Sequence, residues 1–207
     1  MDIQFYGANC VVLSNKGTRI VVDDNLADLG AKSITKPDDI VLFTGAHGAP
    51  KGGRIVIDGP GEYEVSDISI VGVPARAHMD EDKQQTATMY KILTSELNIL
   101  VTGHVHPDIS NKDLEDIGIV DVMIVPVGGA GYTLDPLGAL KLIKEVEPKL
   151  VIPTHYGAKG LNYPVPQTDL TTALKELGME PRETVSKLRV KPAELTDVTQ
   201  LVVLEQS

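Results

Sequence analysis

A succession of short apolar runs, rich in β-branched residues, precedes the first helical pattern, and that order limits the fold more than any other feature. Ile3–Tyr6, Val11–Ser14, Arg19–Val22, Asp39–Phe43, Arg54–Asp58, Ile68–Val73, Thr86–Leu93 and Asn98–Thr102 each have the length and composition of a strand. Asn15-Lys16-Gly17 is a hairpin turn, because glycine accepts positive φ. A second turn is expected at Gly59-Pro60-Gly61, with Glu62 shaping it.

Helices come late. Asn111–Ile117 follows Ser110, a good N-cap. Pro136–Glu147 is the clearest helix, with Asp135 placed to cap it and Pro136 suited to its first turn. Helical spacing assigns its apolar face to Leu137, Leu140, Ile143 and Val146. Thr168–Leu177 is stopped by Gly178. Buried-type strands are expected at Val120–Val127 and Leu150–Ile152, and closing strands at Lys187–Val190 and Val198–Leu204. Strands grouped early and helices late imply layers of sheet covered by helices. No linker, low-complexity tract or fixed-period repeat breaks the chain, so residues 1–207 are expected to form one domain.

Composition then excludes several classes. The net charge of −10 and the lack of a basic run oppose nucleic-acid binding and anionic lipid. No apolar run approaches the roughly 20 residues of a membrane span. The lone Cys10 cannot form an internal disulfide and sits in an apolar run, as an inert buried thiol would. With no basic, apolar leader after Met1, a cytoplasmic location is expected.

Chemistry points to histidine. His47, His78, His104 and His155 each come just after an expected strand, where residues collect at one sheet edge. Imidazole is a good zinc ligand, and zinc needs three or four protein donors. Taken singly, each reads as a hydrogen-bonded structural residue. His106, before Pro107, reads as structural or exposed. Asp24 and the run Asp80-Glu81-Asp82 read as solvated. Gly128, Gly129 and Gly131 suit close packing or an anion cradle. Tyr156 and Tyr163 flank the glycine- and proline-containing stretch 156–167, whose proximity to His155 suits a loop lining a site.

The blocks Ile20-Val21-Val22-Asp23, Pro60-Gly61-Glu62-Tyr63-Glu64-Val65, Asp121 through Gly129 and Pro148 through Tyr156 together resemble the metallo-β-lactamase superfamily. The likeness is to its small single-domain hydrolases, in the lactonase-like branch. It implies an α/β fold, a four-layer αββα sandwich, with the site at one edge of two sheets. It also implies metal-dependent hydrolysis of an ester, lactone, amide or phosphodiester.

The family's His-x-His-x-Asp-His run matches Gly45, His47, Ala49 and Pro50, so only its second histidine survives. His78 and His155 match later ligands, and His104 stands where the family has a bridging Asp. Asp23 matches a carboxylate that supports the metal loop from behind. The resemblance therefore implies at most one zinc ion, held by His47, His78, His104 and His155, because a two-ion site needs carboxylate charge. An ion without carboxylate ligands would favour a small, anionic ligand or substrate. The alternative from another class is a non-catalytic binding or scaffold protein that kept the fold without the ion.

Overall fold

The computed structural model describes residues 1–45 and 52–207. His47, Ala49 and Pro50 lie outside the described residues. The expected strands and helices are present, with shifted ends. Strands β1 (Asp2–Gly7), β2 (Cys10–Asn15), β3 (Thr18–Val22), β4 (Ile40–Leu42), β5 (Ile55–Ile57) and β13 (Leu188–Arg189) form one sheet in the order β13-β1-β2-β3-β4-β5. The second sheet is built from β6 (Gly61–Val65), β7 (Ile68–Ala75), β8 (Ala87–Leu93), β9 (Asn98–Val101), β10 (Val122–Pro126), β11 (Leu150–Thr154), β12 (Pro181–Val185) and β14 (Gln200–Leu204). Its order is β12-β14-β11-β10-β9-β8-β7-β6. Both sheets mix parallel and antiparallel pairs.

One apolar core joins the inner faces. Ile3, Phe5, Val11, Leu13, Ile20 and Val22 of the first sheet meet Ile70, Ile92, Ile99, Ile124 and Ile152 of the second. Each buried side chain of this kind contributes about 1.5–3 kcal/mol. The fully buried Tyr90 of β8 crosses the gap and donates to the Ile57 carbonyl of β5 at 3.2 Å. Cys10 is fully buried on the opposite face of β2, with Val12, Val21 and Leu26. Burial pushes its thiol pKa up, as an inert thiol requires.

The helices α1 (Asn111–Ile117), α2 (Pro136–Val146) and α3 (Leu170–Leu177) cover the second sheet, α1 against β7, α2 against β10, and α3 against α2. Among the described residues, the outer face of the first sheet is covered by a 3-10 turn, Leu26–Leu29, with Ala31, Ile34 and Leu161. This is the αββα layering, thin on one side. Ser110 and Asp113 form a reciprocal capping box, and Asp135 and Asp169 accept from the first turns of α2 and α3. Lys16 and Gly17 both have positive φ, as the β2–β3 hairpin requires. Among the described residues no helix is long and apolar enough to cross a membrane.

Several expectations are corrected. Gly61–Val65 is a strand, and the hairpin turns at Ser66-Asp67, both at positive φ. Glu62 is exposed on that edge strand, not part of a tight turn. The Pro-Gly cue masked an edge strand whose outward face is charged. Leu137 is 62% exposed, while Ala139 and Leu142 are buried beside Ile143. The buried stripe of α2 is therefore rotated away from Leu137, because α2 packs on both β10 and α3. Asp24 is not solvated: its Oδ2 accepts from Ser33 Oγ and from the backbone N–H groups of Ile34 and Thr35. Asp80 likewise organises its loop, accepting from Ala77 N–H and Thr86 N–H.

Candidate functional site

Parallel pairing of β9, β10 and β11 brings their C-terminal ends to one edge of the second sheet. Thr102-Gly103-His104 leaves β9 there, Gly128 follows β10, and His155 follows β11. The segment after β7 pairs with the segment after β9: His78 N–H donates to the His104 carbonyl at 2.7 Å, and His106 N–H to the Arg76 carbonyl at 2.9 Å. Residues far apart in sequence thus meet. The His104 and His155 rings stand edge to face, 4.7 Å between centroids. His78 and His104 line one cavity of about 170 Å³ with Gly45, Ala77, Met79, Ala87 and Tyr132.

The His104 and His155 rings are packed against neighbouring side chains. His155 is buried and lies at φ +54°, a left-handed conformation costly for a side chain with a Cβ. Its N–H donates to the Ala8 carbonyl at 2.7 Å. Its Nδ1 is 3.0 Å from Oε1 of Gln167. Tyr132 packs against both His104 and His155, and Tyr163 against His155, at centroid distances of 5.1, 5.9 and 5.3 Å. Tyr163 is anchored in turn, donating to the Tyr156 carbonyl and accepting from Ala8 N–H. Tyr156 donates to the Leu204 carbonyl, and burial pushes its phenol up to about 12.

Burial lowers the pKa of His155, against the hydrogen bond its ring donates to Gln167. Burial also lowers that of His78, assisted by the neighbouring His106 ring 6.2 Å away. Both rings are therefore neutral at pH 7, the form that ligates a metal. The Nδ1 of His78 is buried and finds no hydrogen-bond partner among the described residues. His106 is outside this group: its Nδ1 accepts from Asp108 N–H at 3.1 Å.

Asp23 sits on the first sheet at the end of β3, 1% exposed and at φ +50°. It accepts from the backbone and side chain of Thr44, the residue before Gly45. It thereby braces the start of the stretch that carries His47. Gly103, at φ +64°, lies against the same threonine, and a Cβ on it would come 2.2 Å from Thr44 Oγ1. Gly128 is likewise reserved for close approach: a Cβ there would come 2.0 Å from the His155 carbonyl oxygen. Gln167, Thr44 and Tyr132 were not legible as site residues, because their roles come from contacts between elements.

The donors fit zinc in kind: neutral imidazoles, one with a buried unpartnered nitrogen. In number they are fewer, since no group of three or more His, Cys, Asp or Glu suited to a metal ion exists among the described residues.

A beta-lactamase superfamily domain model matches residues 2–155. A UPF0173 metal-dependent hydrolase of Aeropyrum pernix is 26% identical over 165 residues, which is 76% of this chain and 62% of the relative. The chain thus matches less than two thirds of that relative's length. A Thermotoga maritima structure assigned as a Zn-dependent hydrolase of the metallo-beta-lactamase superfamily superposes with a TM-score of 0.75 and 26% identity, covering 99% of this chain and 98% of that one. A metallo hydrolase from Ignicoccus hospitalis shares the fold, with a TM-score of 0.60 and 18% identity over 86% of this chain and 90% of its own.

Proposed function

The chain belongs to the beta-lactamase superfamily, and from that premise we propose that it is a hydrolase whose metal site has contracted to at most one zinc ion held by histidine. The observation that carries this reading is the contact of the His104 and His155 rings at 4.7 Å beside the cavity that His78 and His104 share. His78, His104 and His155 would supply ring nitrogens, with His47, outside the described residues, as the fourth candidate. When bound, zinc supplies Lewis acidity and lowers the pKa of a bound water to about 7.

The chain's own residues then hold the rings and shape the space beside them. Tyr132 packs against His104 and His155. Asp23 and Thr44 hold the base of the neighbouring loop. The 170 Å³ cavity is smaller than the ~300–1,000 Å³ pockets of drug-sized ligands, so it suits a small substrate or one end of a larger one. An ester, lactone, amide or phosphodiester fits the family chemistry, and an ion without carboxylate ligands favours an anionic group. Position 49 is alanine, so no carboxylate there takes the proton of the attacking water, and turnover should be slow.

A second reading is favoured by one observation, the absence of a three-donor group among the described residues. On it the chain is a non-catalytic binding or scaffold protein. Calorimetric titration of zinc into the chelated protein separates the two, beside a His78→Ala/His155→Ala variant. One ion per chain, lost in the variant, is expected. Two ions would overturn the ligand count. No binding, or binding unchanged in the variant, would overturn this site and leave the non-catalytic reading standing.

A further inference from the structure

We propose that Gln167 is the positioning residue of this site: it fixes the His155 imidazole with its hydrogen on Nδ1 and so presents Nε2, with its lone pair, as the ligating nitrogen. The inference deepens the metal-site reading and rests on it for its consequence, although the tautomer itself can be read without metal.

The orientation of the Gln167 amide is the first step. Its Nε2 donates to the Val165 carbonyl at 3.0 Å, with the Pro166 carbonyl at 3.5 Å. Two carbonyl oxygens can face only the NH₂ end of the amide, so Oε1 is the end that meets His155. Oε1 is 3.0 Å from Nδ1 and can only accept. The hydrogen of the ring must then be on Nδ1. A neutral imidazole carries one, so Nε2 is left with its lone pair.

The surroundings keep this arrangement from relaxing. Thr168 N–H donates to the Gly128 carbonyl at 2.9 Å, and Gly157 N–H donates to the Thr168 carbonyl at 2.8 Å. The residue after Gln167 is therefore tied to the glycines beside and across from His155. At Gly128 a Cβ would come 2.1 Å from Gln167 Oε1, so only glycine leaves room for the amide. Turning the ring over to exchange its nitrogens would have to displace Tyr163 and His104, whose ring centroids lie 5.3 and 4.7 Å away. A hydrogen-bonded partner on the far nitrogen of a ligating histidine sets which nitrogen binds metal, and its loss weakens binding by about 10- to 100-fold.

The test reads the tautomer first. Long-range ¹⁵N–¹H correlation on the metal-free protein reports which nitrogen of each histidine is protonated. The His155 signals are assigned by their loss in His155→Asn, a residue that tolerates left-handed backbone. The wild type should show His155 as the Nδ1–H form. Gln167→Ala should shift it to a mixture of both forms, with backbone spectra otherwise unchanged. Gln167→Glu keeps an acceptor toward Nδ1 but gives up the donor to the Val165 carbonyl, so a hydrogen should again be held on Nδ1. Zinc affinity should fall about 10- to 100-fold in Gln167→Ala. An Nε2–H form in the wild type, or an Nδ1–H form that survives Gln167→Ala, would overturn the proposal. If the tautomer follows Gln167 but no zinc binds at all, the metal reading fails while the positioning of the ring stands.

Discussion

The carboxylate of Asp23 accepts both the backbone N–H and the hydroxyl of Thr44, at 2.8 and 2.6 Å, in a pocket where both residues are essentially buried. The pair ties the end of β3 to the residues just past β4, at the edge where the histidines collect. Asp23→Ala would leave two buried donors without that acceptor, at about 1–3 kcal/mol for each unsatisfied group. We expect a loss of about 2–4 kcal/mol in urea denaturation, from a lowered midpoint with unchanged slope. A loss below about 0.5 kcal/mol would show that water replaces the carboxylate and that the brace is incidental.

Gly103 should be irreplaceable for the same reason. Its φ of +64° disfavours any Cβ, and the threonine it would strike is held in place by Asp23. Gly103→Ala is expected to cost about 2–4 kcal/mol, since neither the backbone nor Thr44 can move cheaply. Thermal melting of the variant beside Gly17→Ala makes the comparison, because Gly17 shares a positive φ but meets nothing within 4 Å. Equal losses in the two variants would mean that backbone strain alone, and not contact with Thr44, governs position 103.

Tyr90 joins the two sheets through the Ile57 carbonyl. Tyr90→Phe keeps the ring in the core and removes the hydroxyl, leaving that carbonyl without one of its donors. A loss of about 1 kcal/mol is expected, close to the net worth of one hydrogen bond. Chemical denaturation should show it, and a gain in stability would mean that the buried hydroxyl costs more than the bond returns.

Acid should loosen the β1–β13 edge. Hydrogen bonds from Arg189 and then Lys187 hold the Asp2 carboxyl at about 2, below its ordinary 3.8. Because the folded value is depressed, the unfolded chain binds the proton more readily. The contribution to stability is thus complete above about pH 4 and is lost as pH falls from there through about 2. With both partners largely exposed, its size at neutral pH is about 1 kcal/mol after solvent screening. Asp2→Asn should therefore lower stability at pH 7 and differ little from wild type near pH 2. A difference that does not shrink with acid would assign the effect to something other than this charge.

What was legible in the sequence follows the range of the interactions responsible. Ser110 with Asp113, Asp135 before Pro136, and Lys16-Gly17 between two strands act over a few residues, so composition and spacing reveal them. Strands buried on both faces, such as Val122–Pro126, announce themselves as continuous apolar runs. Edge strands do not. Gly61–Val65 alternates half-buried and exposed positions behind a Pro-Gly pair, and Pro181–Val185 is largely polar. Leu137 satisfied the helical spacing yet faces solvent, because the axis about which α2 is buried is set by β10 and α3 together.

The histidines divide in the same way. Their positions after strands were visible in the chain, because each strand ends where its apolar run ends. That His104 and His155 touch depends on β9, β10 and β11 running parallel, two successive pairings that together bring residues 104 and 155 to one edge. The partners that orient them are further still from local pattern. Gln167 stands in a loop of glycines and prolines, and Thr44 gains its role only through Asp23 and Gly103. Local sequence thus determined which residues form strands, caps and turns, because backbone conformation and burial periodicity are short-range properties. Only the tertiary structure decided which polar atoms face one another, because hydrogen-bond partners across sheets are selected by packing that no single segment encodes.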